Sequence, residues 1–444
     1  MQVLNHSYSK ILLVALPLMI SGFIQSIVMF TDSAFMARYS TLAFDAVGNG
    51  GLMYVTMYMC LWGMADGSQI IIARRIGENR LQEVGSILGS SLVICFVLSI
   101  LLFSLLQFYL PKAILYYSGN FEIAALQGDF LRIRSYSLFF AIATLCIQAL
   151  FLACGRTTIV LLAALTTAVS NVVFDYLLIF GHFGFPEMGH RGAALASTLG
   201  ECFGMLFLVI ALIASKEQYT FNLRKTLGLS KTAIKSLIKV GSPLMFQSFF
   251  ALATWTLFFT WIEMKGAFEL TVSQNIRSIY FLAFVPIWGF SGTTKTYISQ
   301  YLGANKLTEI PIIQKKIQLL TLLFTALFFH GAILYPEELI SLVNPNQLYV
   351  SKSAAILKIV SVSILIYGFV SVYFQTIHAS GNTRHSMLIE LSTVLIYLLF
   401  SYLFILEWDL DIVWVWTTEY IYFGSIGLFS ILYLRFTNWK QKKI

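Results

Sequence analysis

Hydrophobic positions in this chain run in long unbroken blocks, separated by short polar stretches, and do not alternate or recur on a single face. A helix needs about 20 apolar residues to cross the hydrocarbon core of a bilayer. Windows of that length predict twelve spans, at about 11–36, 46–72, 86–110, 130–153, 158–181, 192–214, 235–262, 270–300, 313–335, 353–379, 385–406 and 411–435. The blocks are apolar on every side, so they read as helices and not as barrel strands, which alternate apolar and polar residues. The start is polar to about Lys10 and then apolar for a whole span, with no small-residue cleavage site. It reads as a first transmembrane helix, not a cleaved leader. The longest polar stretch, Lys216 to Lys235, divides the spans into two sets of six. The predicted fold class is an all-α membrane protein of twelve transmembrane helices in two pseudo-symmetric six-helix lobes. An N-terminal lobe covers 1–214, a cytoplasmic linker 215–234 and a C-terminal lobe 235–444.

Composition removes the soluble classes. Of the 444 residues 58% are hydrophobic and 11% charged, with mean hydropathy +0.78, against about 25% charged in an ordinary soluble domain. The formal charge of +8 does not indicate nucleic acid, because the bases are spread thinly through short loops instead of forming one face. They fit membrane topology better. Placing both termini and the loops after even-numbered spans on one side gathers about twenty Lys and Arg there, among them Arg74, Arg75, Arg224, Lys225, Lys315 and Lys316. That side is predicted to be the cytoplasm, and the chain a multi-pass inner-membrane protein. Five cysteines lie in apolar stretches without C-x-x-C spacing, which predicts buried free thiols and no metal site.

The sequence repeats itself at an offset of 226 residues. Pro17-Leu18-Met19 matches Pro243-Leu244-Met245, Asn49 matches Asn275, and Trp62-Gly63 matches Trp288-Gly289. Gly77-x-Asn79 matches Gly303-x-Asn305, Gly155-x-Thr157 matches Gly381-x-Thr383, and Phe174-x-Tyr176-Leu177 matches Phe400-x-Tyr402-Leu403. Each half holds an even number of spans, so the lobes should share one orientation and be related by an axis along the membrane normal, a transporter architecture.

The halves differ in charge. Asp32 corresponds to Phe258 and Asp175 to Ser401. An ionised carboxylate inside a span is costly, so it neutralises, finds partners or faces water. Asn171 lies one turn before Asp175 on the same helix face. If the first and fifth helices face one cavity, Asp32, Asn171 and Asp175 form a polar cluster able to exchange protons. A sodium site would use the same atoms, joined by Thr31 or Ser197, so the residues fit H⁺ and Na⁺ alike. Pro17, about four turns before Asp32, removes an interior hydrogen bond and predicts a hinge in the first helix.

The Pro17–Asp32 span, Gly63-x13-Gly77 with its copy Gly289-x13-Gly303, Asn171-x-x-x-Asp175, and Gly184-Phe185-Pro186-Glu187-Met188-Gly189-x-x-Gly192-Ala193-Ala194-x-Ala196-Ser197 together resemble the multidrug and toxic compound extrusion (MATE) family over essentially the whole chain. The resemblance implies a two-lobe antiporter, without cofactors and acting as a monomer, that exports small amphiphilic or cationic drugs and metabolites in exchange for H⁺ or Na⁺. It implies a cation site at Asp32, Asn171, Asp175 and Ser197 of the type found in archaeal and DinF-like members. The norfloxacin-exporter branch carries acids in the seventh and tenth helices. Here the first position is Ala251 and the tenth span has no acid, so a sodium site of that kind is not expected.

Glu201, Glu390 and Glu419 are candidate cavity acids, with Arg277 a candidate partner, and Asp66 with Lys295 a candidate gate pair at the cytoplasmic ends of the second and eighth helices. The histidines lack metal-ligand spacing. A flippase for a lipid-linked oligosaccharide would share the two-lobe fold, but its cavity needs several bases to hold pyrophosphate, and here acids dominate the spans. A membrane enzyme would need a nucleophile with its base or a metal cluster, and neither is visible. The partners expected are therefore a small substrate and membrane lipid, with no nucleic acid.

Overall fold

The computed structural model describes residues 3–117 and 121–442. With no water in the hydrocarbon core, each backbone N–H and C=O must be satisfied within its own segment, and the apolar blocks accordingly form helices. Twelve long helices follow in order: α1 Tyr8–Tyr39, α2 Thr41–Gly77, α3 Val84–Ser104, a bent α4, α5 Thr157–Phe180, α6 His190–Ala214, α7 Lys231–Lys265, α8 Ala267–Gly303, α9 Ile310–Phe329, α10 Gln347–Ala379, α11 Thr383–Tyr402 and α12 Thr418–Phe436. The two segments of α4, Phe121–Arg134 and Ser137–Ala153, meet at 49°. Each helix overlaps one of the twelve windows read from the sequence.

Eight of these helices are long and apolar enough to cross a membrane on their own, and the bent α4 makes nine. The remaining three, α2, α8 and α12, dilute their apolar runs with charge: Asp45, Asp66, Arg74 and Arg75 in α2, Glu269, Arg277 and Lys295 in α8, Glu419 and Arg435 in α12.

The 226-residue repeat is written into the backbone. α1 and α7 end at Tyr39 and Lys265, α2 and α8 at Gly77 and Gly303. Asn79 and Asn305 both take the left-handed conformation at φ 57°, and Gly155 and Gly381 take it at 73° and 79°. Asn and Gly are the residues that tolerate this region.

The chain forms two compact units, Ile20–Met245 and Val3–Met19 with Phe246–Ile444. These limits differ from the lobes read in the sequence, because the division falls inside continuous helices and not in the polar linker. Both cuts lie two residues past a proline, Pro17 in α1 and Pro243 in α7.

Of the cysteines, Cys95, Cys146 and Cys154 are buried free thiols, whereas Cys60 and Cys202 are only half-buried. His378, at the end of α10, is buried and within 3.3 Å of the Gln247 amide nitrogen, not solvated.

Candidate functional site

The first unit gathers its polar side chains where α1, α5 and α6 come together. The four-residue spacing on α5 puts Asn171 and Asp175 on one face, and both are buried, Asp175 completely. Asp32 of α1 is half-buried, and its carboxyl lies beside that of Asp175, close enough to share a hydrogen bond when one of them carries a proton. The Asn171 amide donates to Ser197 Oγ at 3.2 Å. Gly200 on α6 permits this approach, because a Cβ there would meet Asn171 Cβ and the Thr167 carbonyl at 3.0 Å. Thr31 is turned away and donates to the Ile27 carbonyl of its own helix.

Asp32 Oδ1, both Asp175 oxygens and Asn171 Oδ1 are buried and accept no hydrogen bond from the described residues. Buried acceptors are ordinarily satisfied. Four unsatisfied oxygens from three neighbouring side chains make a site that a cation or a proton can complete.

Beside this cluster the candidate acid Glu201 meets a base that the sequence reading did not include. Arg134, the last residue before the break in α4, pairs with Glu201 Oε1 at 2.5 Å, and its guanidinium lies 4.1 Å from the centroid of the Tyr54 ring. Tyr54 is held in turn by Ser137 Oγ at 2.6 Å and reaches Glu201 Oε2 at 3.4 Å. Two serine hydroxyls cap carbonyls at the break, Ser135 on Arg132 and Ser137 on Arg134, so the interruption is stabilised locally. The predicted fourth span starts near residue 130 and so has Arg134 close to its end. A base pairable with the intramembrane Glu201 was the signal available.

The second unit treats its acids differently. Glu390 on α11 accepts from Tyr422 at 2.5 Å, and Glu419 on α12 accepts from Tyr280 at 2.5 Å and Tyr397 at 3.2 Å. Both acids are buried. Arg277 is not their partner: its guanidinium lies 5.0 Å from the Phe259 ring centroid. Pro17 is buried within α1. Asp66 lies in α2 of the first unit, and Lys295 is buried in α8 of the second.

Known proteins share this plan. A probable multidrug resistance protein NorM of Thermotoga maritima is 26% identical over 388 residues, spanning 87% of this chain and 82% of that protein. Another from Synechocystis is 23% identical across 98% of this chain and 94% of its own length. Among solved structures, a MOP-superfamily transporter from Pyrococcus furiosus, described by the reverse polarity of its binding pocket, matches with TM-score 0.88 at 17% identity over 98% of this chain and 97% of that one. An outward-facing multidrug resistance MATE transporter matches at 0.87 and 18%, over 96% and 95%. The fold is thus the twelve-helix, two-lobe transporter fold. The pattern of the MatE family matches residues 17–177 and again 243–403, two stretches separated by the repeat offset itself. Duplicated in register over most of the chain, that pattern makes this multi-pass membrane protein a member of the MatE family of transporters, not an enzyme.

Proposed function

We propose that the protein is a cation-coupled antiporter that exports small amphiphilic or cationic compounds, drugs or metabolites, in exchange for H⁺ or Na⁺. In this reading it works as a monomer in the inner membrane, with both termini cytoplasmic, and alternates access between the two sides. Asp32, Asn171 and Asp175, with Ser197 behind Asn171, hold the coupling ion. The observation that carries the reading is the set of four buried oxygens without donors on Asp32, Asn171 and Asp175. Two neighbouring carboxyls in a medium of low dielectric constant are stable when they share a proton or a bound cation. That requirement ties occupancy of the site to the state of the surrounding helices. Relatives bearing the name of multidrug resistance proteins support the substrate class. The cluster holds three acids, Asp32, Asp175 and Glu201, against one base, Arg134, and this balance favours cations over the anionic pyrophosphate of a lipid-linked sugar.

The test is uptake of a cationic dye into everted membrane vesicles, driven separately by a pH gradient and by a Na⁺ gradient. Export should follow one of the two and vanish in Asp32→Asn and in Asp175→Asn, with both variants present in the membrane at wild-type amounts. Wild-type export rates in both variants would remove the site from the mechanism.

A further inference from the structure

Arg134 sits between two sets of acids and is bound to only one of them. Its Nη2 donates to Glu201 Oε1 at 2.5 Å, while its Nη1 is buried with no hydrogen-bond partner among the described residues. Its charge is near enough to act on both Asp32 and Asp175. The groups facing it are Asp32 from α1, Tyr54 and Tyr58 from α2, Asp175 from α5 and Glu201 from α6.

We propose that Arg134 is a mobile internal counter-ion that passes between Glu201 and the Asp32–Asp175 carboxyls as the coupling cation enters and leaves. The proposal rests on reading those carboxyls as the cation site. A guanidinium stays charged and carries five donors in a planar fork, so it can hold one carboxylate while offering a free edge to another. When the cation leaves, two adjacent buried carboxylates would remain uncompensated, a state that costs far more than the loss of an ordinary contact. Nη1, which has no hydrogen-bond partner among the described residues, is the donor available to relieve it. When the cation returns, Arg134 settles back on Glu201 and on the face of Tyr54, which Ser137 holds in place.

The two ends of the latch make opposite predictions. In Arg134→Gln the cation loses its competitor, so it should bind at least about tenfold more tightly. In Glu201→Gln the arginine is released toward the aspartates, and binding should weaken by a similar factor. The double variant should resemble Arg134→Gln, since nothing remains to be released. The measurement is tryptophan fluorescence of the purified full-length protein, titrated with NaCl at fixed pH and, without sodium, with pH. If protons are the ion, the acid midpoint moves to higher pH in Arg134→Gln and to lower pH in Glu201→Gln.

A static salt bridge would also shift the two variants in opposite directions by charge alone, but its double variant would return close to wild type, and that outcome overturns the proposal. Shifts of one sign, or none in either, overturn the proposal. If Arg134→Gln fails to fold, Glu201→Gln alone must still weaken binding, and unchanged affinity there overturns it as well. The control is Asp32→Asn combined with Asp175→Asn. An ion response that survives in it means the cation site lies elsewhere and the latch falls with it, whereas loss of the response with same-sign shifts condemns the latch alone.

Discussion

Where the N-terminal half carries Asp32, Asn171, Asp175 and Ser197, the C-terminal half carries Phe258, Tyr397, Ser401 and Phe423 at the same repeat positions. The helices in both halves end in register, so the contrast lies in the filling and not in the frame. In the second half Phe258 is fully buried, with its ring centroid 5.5 Å from Tyr397 and 5.6 Å from Trp416. Aromatic packing occupies the place where the first half leaves four acceptor oxygens unsatisfied. One position is kept in both: Tyr54 and Tyr280 are repeat partners, and each directs its hydroxyl to a glutamate of the last helix in its half, Glu201 or Glu419. The repeat has preserved the tyrosine and moved the acid by two turns. Ion dependence should therefore be a property of the first half, and rigidity a property of the second.

The strongest way to break this comparison is to neutralise equivalent positions. Asp175→Asn should abolish gradient-driven export, whereas Ser401→Ala, its repeat partner, should leave the rate in everted vesicles near wild type. Equal losses would mean that both halves read the ion. Next in size is stability. Phe258→Ala opens a cavity among Tyr397 and Trp416 and should lower stability by about 3–5 kcal/mol, read as a lower melting temperature in detergent. Asp32→Asn at the matching position should melt close to wild type, since its Oδ1 accepts no hydrogen bond to lose.

A smaller effect separates the two tyrosines. Tyr280→Phe removes one of the two hydroxyls that satisfy buried Glu419 and should cost about 1–2 kcal/mol. Tyr54→Phe should cost less by the same melting measurement, because Glu201 keeps Arg134. A larger cost for Tyr54→Phe would show that the two acids are held on the same terms.

Much of this was legible in the sequence because apolar block length and a constant offset are local properties. Twelve windows predict the helices, and the pairs Asn79/Asn305 and Gly155/Gly381 mark the repeat between the halves, whose shared left-handed conformation the structure adds. The neighbours Asn171 and Asp175 follow from helical spacing, and their contrast with Tyr397 and Ser401 follows from the repeat. Arg134 did not follow, because its role depends on a helix break set by Ser135 and Ser137, and serine hydroxyls capping their own turn leave little periodic signal. The tyrosine partners of Glu390 and Glu419 were illegible for a related reason: each contact joins different helices, and twenty-two tyrosines offer too many pairings to choose among. The division of the chain at Met19 and Met245 was hidden because it interrupts no helix.

The smallest expected effect concerns the two prolines, and it sharpens the contrast between halves without touching a charge. Pro17 and Pro243 occupy the same repeat position, and each lies just before the point where its helix passes from one unit to the other. Proline in a helix interior removes one hydrogen bond and crowds the preceding turn, so alanine at either position should fold at least as well as wild type. The two should differ in transport. α1 carries Asp32 and must respond when the site loads, so a stiffened α1 in Pro17→Ala should slow dye export while leaving the ion-induced fluorescence change in place. α7 carries Phe258 in a packed aromatic core, and Pro243→Ala should leave export nearly unchanged. Equal slowing in both would make the proline a common joint of the two units, and the asymmetry would then reside in the ion-binding side chains alone.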